Sequence, residues 1–244
     1  VSDKAVVALS GGLDSTAALA IAVRDHGAGN TRTVGIHYGQ RHEVEIEAAH
    51  SVARYYGIEH KVIQLPADLF KGSGKSSLVD DGVGMPHLTY KEIATEEGVS
   101  PTYVPFRNGN ILSVITAFAL TAFPDDKVYV YAGMHAEDAR NYAYPDCAFE
   151  FLGAMANAIN VGSYYQVRLV VPFQFSTKAD IVRVGTRLEA PFELTHTCYE
   201  GLRPACGLCP TCVERLGAFR IAGAEDPIEY DSAVDRSSDR YALP

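Results

Sequence analysis

The stretch Ala5-Val6-Val7-Ala8-Leu9-Ser10-Gly11-Gly12-Leu13-Asp14-Ser15-Thr16-Ala17-Ala18 decides the fold. Ala5 to Leu9 is a short apolar run, the pattern of a strand covered on both faces. Ser10 to Ser15 is a tight polar turn. From Ala17, the residues Leu19, Ile21, Ala22 and Val23 carry a helix that ends near Gly27. Gly11 and Gly12 reach backbone angles closed to other residues and leave no side chain between main chain and ligand. Ser10, Ser15 and Thr16 add hydroxyls. The new helix aims free N–H groups and the positive end of its dipole into the turn. Leu9 to Thr16 thus read as an anion site suited to a pyrophosphate. Asp14 has the wrong sign there, unless it holds a divalent cation that bridges phosphates.

Outward from this stretch the pattern repeats. Thr33 to Tyr38 is a second strand, followed by Gly39, Gln40, Arg41 and a helix from about Glu43 to Tyr56. Lys61 to Leu65 is a third strand, closed by Pro66. Strands alternating with helices imply parallel pairing and right-handed crossovers. Asn110 to Phe123 forms a helix that is apolar on most sides and so expected to be buried. Arg107 and Asn108 stand at its mouth, where a guanidinium can grip a phosphate or carboxylate. Lys127 to Ala132 is a fourth strand, Phe149 to Val161 a helix, and Val167 to Val171 a fifth strand. Thr177 and Asp180 have the spacing of a helix N-cap pair, with the helix reaching about Leu188. Lys178 in its first turn opposes the dipole, which either a nearby phosphate or solvent would explain. In open parallel sheets ligands bind beyond the carboxyl ends of the strands. Ser10 to Ser15, Tyr38 to His42 and Met134 to Cys147 gather there, with Asp138 and Asp146 as candidates for a metal or for the amine edges of a base.

The segment 66–105 breaks the pattern. It is rich in Gly, Ser, Asp and Pro, with one short helix expected near Thr89 to Glu97, and it reads as a lid-like insertion. Gly72-Ser73-Gly74-Lys75-Ser76 imitates the end of a Walker A loop, but Leu69 stands where that motif needs its first glycine. The residues from about Glu225 are polar and expected to be mobile or loosely docked.

Cys198, Cys206, Cys209 and Cys212 hold four of the five cysteines. Gly207, Pro204 and Pro210 permit the tight turns that wrap sulfurs around an ion. Four thiolates suit a closed, structural tetrahedral zinc (Zn2+), and they also suit an iron–sulfur cluster. The 244 residues, 47% hydrophobic, suffice for one large α/β domain with a small appendage. No apolar run approaches the ~18 residues of a membrane span. The opening Val-Ser-Asp-Lys lacks a signal pattern, so a cytoplasmic protein is expected. A net charge of -9 argues against general nucleic-acid binding.

Ser10-Gly11-Gly12-Leu13-Asp14-Ser15 resembles the signature of the PP-loop ATP pyrophosphatases, which split ATP between the α and β phosphates. Within that superfamily the chain resembles the 7-cyano-7-deazaguanine synthase (QueC) family over nearly its whole length. The resemblance rests on that turn, Tyr38-Gly39-Gln40-Arg41, Val104 to Asn108, Gly133 with Asp138, Tyr144-Pro145-Asp146-Cys147, Lys178, and the cysteines with Glu214-Arg215. The family usually leaves three residues between the aspartate matching Asp138 and the Tyr-Pro-Asp; here five intervene. It often has Arg-Pro after the cysteine, where this chain has Ala148-Phe149.

The resemblance implies an open, mainly parallel five-stranded α/β sheet of the adenine-nucleotide alpha-hydrolase type, with helices on both faces. It places the PP-loop domain at 1–190 and a four-cysteine zinc region at 191–244. It implies an enzyme that takes a deazaguanine carboxylate, ammonia and ATP to the nitrile, a precursor of queuosine, and that works as a homodimer. Leu9 to Thr16, Tyr38, Gln40 and Arg41 would hold ATP, and Asp14 magnesium (Mg2+). Arg107 and Lys178 would balance phosphate or carboxylate charge. Asn108, Asp138, Tyr144 and Asp146 would meet the base. Other readings stay open: a relative that stops at the amide or uses another acceptor, another amide-forming or tRNA-modifying PP-loop enzyme, and a non-catalytic zinc-stabilised nucleotide-binding module.

Overall fold

The computed structural model describes residues 3–40, 44–72, 76–80, 82–87, 100–139 and 144–242. Five strands form one sheet: β1 (Lys4–Ala8), β2 (Thr31–His37), β3 (His60–Gln64), β4 (Val128–Tyr131) and β5 (Val167–Val170). Their order is β3-β2-β1-β4-β5, and every pairing is parallel. The chain winds from β1 to β3 on one side, then crosses to β4 on the other. The switch in direction lies between β1 and β4, where open sheets leave a crevice for ligands.

Helices cover both faces: α1 (Leu13–His26), α2 (Val44–Tyr55), α3 (Arg107–Ala122), α4 (Phe149–Gly162), α5 (Lys178–Arg187) and α6 (Pro210–Ala222). Adjacent strand residues point to opposite faces, so Val6 and Val7 enter different cores. Val7 packs with Leu19 of α1, Val52 of α2, Ile181 of α5 and Phe219 of α6. Val6 packs with Leu112 and Ile115 of α3 and Leu152 of α4.

Several expectations are corrected. α1 begins at Leu13 rather than Ala17, which places Asp14, Ser15 and Thr16 in its first turn. α3 begins at Arg107 rather than Asn110 and buries one face, through Asn108, Gly109, Leu112, Ile115 and Ala119, rather than all sides. Thr177 and Asp180 form the expected reciprocal cap. The short helix expected near 89–97 lies outside the described residues, as do residues 73–75 of the Walker-like run. Elsewhere in that insertion Phe70, Val79 and Val104 are buried with Tyr38.

Pro210 does not turn the chain but opens α6, a helix that sequence reasoning did not foresee; Cys209 is its N-cap. α6 shares the core of α1 and α5 through Ala218 and Phe219, so the cysteine-bearing region is continuous with the sheet domain. The tail is not loose. Asp226, Tyr230 and Tyr241 are buried, and Asp226 holds the fully buried Arg215 through two bonds of 2.8 and 2.9 Å.

Candidate active site

The turn after β1 is held in shape by its own hydroxyls. Ser15 Oγ accepts from the Ser10 amide at 3.2 Å, lies 3.0 Å from Ser10 Oγ, and donates to the Gly12 carbonyl at 3.1 Å. The Thr16 hydroxyl donates to the same carbonyl at 2.9 Å, so it is spent on the turn. Gly11, at φ 85°, lies under α2: a Cβ there would stand 2.4 Å from the Glu45 carbonyl oxygen. Gly133, after β4, is pressed against the start of α1, and a Cβ there would meet the Asp14 carbonyl carbon at 2.9 Å. Two glycines therefore close the switch point around the turn.

A cavity of about 280 Å³ opens at this edge of the sheet. Leu9, Ser10, Gly12, Leu13, Asp14 and Ser15 line it from the turn; Gly11 and Thr16 lie behind. Tyr38 and Gln40 line it from beyond β2, and Arg107 and Asn108 from the start of α3. Arg41 lies outside the described residues. Gln40 accepts from the Tyr38 amide at 2.8 Å, which folds the segment back on β2. Arg107 packs over the Tyr38 ring at 5.6 Å and donates to its hydroxyl at 3.3 Å. No carboxylate among the described residues forms an ion pair with it, so its charge faces the cavity available to an anion.

Lys178 is the strongest departure from a surface reading. It is buried, and its Nζ donates to Asp14 Oδ2 at 2.7 Å and lies 3.2 Å from Glu214 Oε2. Burial pulls this ammonium toward neutrality, but Asp14 and Glu214 outweigh it and hold the proton on above the usual lysine value. His135, fully buried after β4, lies 3.3 Å from Lys178 Nζ and 3.3 Å from Asp138 Oδ1. Among the described residues, Asp14 Oδ1 is buried without a hydrogen-bond partner. An orphaned carboxylate oxygen in a phosphate turn is what a divalent cation would occupy.

Of the residues expected at the base, Asn108 and Asp138 line the cavity, while Tyr144 and Asp146 do not. Asp146 accepts the Asn108 backbone N–H at 2.9 Å, satisfying an open donor of α3, and burial pushes its carboxyl up. Tyr144 hydrogen-bonds Thr102. Both support the wall rather than face the ligand space. Glu45 and His135 were missed, and neither carried a sequence signal; Glu214 and His196 stood out only as neighbours of the cysteines, not as residues of this cavity.

The four cysteine sulfurs all lie within 4.8 Å of one another. Cys206 Sγ accepts the Leu208 and Cys209 amides at 3.3 Å each, and Cys198 Sγ accepts the Cys206 amide at 3.4 Å. Such N–H donors favour the thiolate form that a metal needs. The centre adjoins the phosphate turn: the His196 amide donates to the Gly11 carbonyl at 2.9 Å.

A parallel sheet whose switch point carries a hydroxyl-lined turn, a carboxylate at the helix start and a buried lysine defines a nucleotide-splitting enzyme of the PP-loop class. Comparison with known proteins narrows this. The family described as queuosine biosynthesis protein QueC matches residues 4–223, and the chain belongs to that family. It is 40% identical to the 7-cyano-7-deazaguanine synthase of Thermoplasma acidophilum over 232 residues, covering 93% of this chain and 92% of the relative. The enzyme of that name from Oceanobacillus iheyensis is 40% identical over 230 residues, 93% and 98% of the two chains. Among solved structures, the NH3-dependent NAD synthetase of Campylobacter jejuni overlaps loosely, at TM-score 0.43 and 15% identity, over 78% of this chain and 66% of that one. The fold stands on the strand order rather than on that overlap. No helix among the described residues is long and apolar enough to cross a membrane.

Proposed function

We propose that the chain converts 7-carboxy-7-deazaguanine and ammonia to 7-cyano-7-deazaguanine at the expense of ATP, in the cytoplasm, as a step toward queuosine. The family match over residues 4–223, with relatives of that name at full length, carries the reading. The chemistry explains why a phosphate turn stands at the centre. A carboxylate oxygen leaves as a strong base, so ammonia cannot displace it. Transfer of AMP from ATP to that oxygen releases pyrophosphate and makes AMP the leaving group; ammonia then forms the amide and loses a proton. A second transfer to the amide oxygen lets it depart as AMP, and loss of the remaining N–H protons leaves the nitrile. No covalent nucleophile is required of the protein, only positioning and charge.

The amides of the turn, together with the Ser10 hydroxyl, hold the pyrophosphate, while the Ser15 and Thr16 hydroxyls keep the turn in shape. Asp14 Oδ1 holds Mg2+, whose chemistry is to spread the charge of the departing pyrophosphate. Lys178 balances phosphate charge beside it. Tyr38 and Gln40 border the nucleotide, with Arg41 next in the chain. Arg107 takes the substrate carboxylate or the α-phosphate, and Asn108 and Asp138 meet the deazaguanine, with Tyr144 and Asp146 fixing the wall behind them. Sulfurs within 4.8 Å of one another suit one ion bound at about 2.3 Å per sulfur, so Cys198, Cys206, Cys209 and Cys212 hold a structural Zn2+. The family resemblance implies a homodimer. The exposed Phe149 and Val161 at the two ends of α4, with Tyr164 beyond, offer apolar surface for it.

The test is the fate of ATP. With 7-carboxy-7-deazaguanine, ammonium and magnesium, the protein is expected to release AMP and pyrophosphate. Asp14→Ala should lower that release by at least on the order of a hundredfold while leaving circular dichroism unchanged. Release of ADP, or near-normal AMP release by the variant, would sink the assignment.

A further inference from the structure

Glu214 stands two positions past Cys212 in the first turns of α6, yet it lines the nucleotide cavity rather than the cysteine centre alone. Its carboxylate lies 3.2 Å from Lys178 Nζ, which Asp14 also holds at 2.7 Å. One carboxylate would neutralise this ammonium. Two are present, and they come from opposite ends of the chain. The arrangement makes sense once Asp14 has a second duty. A carboxylate whose electrons are drawn to a divalent cation pulls less on a neighbouring lysine. A buried ammonium that loses its partner bears an uncompensated charge on a flexible four-carbon stem, and nothing then keeps it in place.

We propose that Glu214 is a positioning residue: it holds Lys178 against the phosphate turn while Asp14 serves the cation. This rests on the reading of Asp14 and Lys178 given above. Because α6 starts on Cys209 and carries Cys212 one turn later, the metal-bound sulfurs set where Glu214 stands. The His196 amide, which bonds to Gly11, is the second tie between that centre and the turn. The cysteine centre therefore orients the lysine that meets ATP, besides folding its own segment. Glu214 acts through Lys178.

The experiment uses the full chain carrying Glu214→Gln, with zinc content measured by atomic emission and ATP–magnesium binding by calorimetry. Glu214→Gln should keep the parent's zinc content and bind ATP–magnesium about tenfold more weakly. Glu214→Asp should recover part of the affinity. In a Lys178→Met background the same Glu214→Gln change should cost less than about twofold, because its target is gone. ATP affinity unchanged in Glu214→Gln with zinc retained would overturn the proposal. So would loss of zinc from that variant, which would make Glu214 a support of the cysteine centre, and so would a full tenfold loss recurring in Lys178→Met. A parent that binds no ATP would instead sink the reading of the site, and this inference with it.

Discussion

Asp14 carries two contacts of opposite kind. One oxygen is bound to Lys178 at 2.7 Å, and the other is buried without a hydrogen-bond partner among the described residues. A carboxylate tolerates that asymmetry only where a cation completes it. Lys178 keeps Glu214 as a counter-ion when Asp14 is cut to alanine, which is why that variant should remain folded. Glu45, above the turn on α2, has a measurable consequence of its own. Burial pushes its carboxyl up to about 7 from the ordinary 4.5, and Arg107 opposes the shift without cancelling it. Between those values the folded chain holds the Glu45 proton more tightly than the unfolded chain. Its contribution to stability is full below the ordinary value and is lost as the pH rises through about 7. Glu45→Gln removes this loss. Urea titrations at about pH 5 and about pH 8 should show a smaller fall in unfolding free energy for the variant than for the parent. Equal falls would contradict the burial of that carboxyl.

At the scale of elements, α6 joins what the chain keeps apart. It takes Cys209 and Cys212 to the cysteine cluster, Glu214 to the cavity and Phe219 to the core. Arg215 anchors it: the guanidinium is fully buried, bonded twice to Asp226 and once each to the hydroxyls of Thr195 and Thr197, at 2.7 and 3.0 Å. Replacing Arg215 by methionine leaves Asp226 buried and unpaired, and should cost about 3–5 kcal/mol in denaturant unfolding. A loss under about 1 kcal/mol would mean that the pair is not desolvated as the structure has it.

The first strand, turn and helix were readable because strand, glycines, hydroxyls and helix all fall within fourteen consecutive residues. The cysteines were readable for the same reason of local spacing. α6 was not, since Pro210 to Phe219 are all buried and no apolar stripe marks one face. Lys178 remained ambiguous because its partner lies 164 positions away. His135 showed no pattern, since its neighbours are set by the crossing from β4 to α5 and not by spacing. Tyr144 and Asp146 carry a motif, yet Asp146 is bonded to the start of α3 and Tyr144 to Thr102; a motif names residues without saying which way they face.

Across the whole molecule, the open sheet brings the ends of β1, β2 and β4 to one cavity, and the C-terminal region closes that cavity from above the turn through His196 and Glu214. The cysteine cluster and the cavity are therefore parts of one structure. We propose that two rounds of adenylation, at one turn, take a carboxylate to a nitrile. The direct measurement is the mass of the base formed when the purified chain meets 7-carboxy-7-deazaguanine, ammonium, magnesium and excess ATP. The nitrile is predicted, with one AMP released for each activation. Accumulation of the amide alone, or recovery of the carboxylate unchanged, would contradict it.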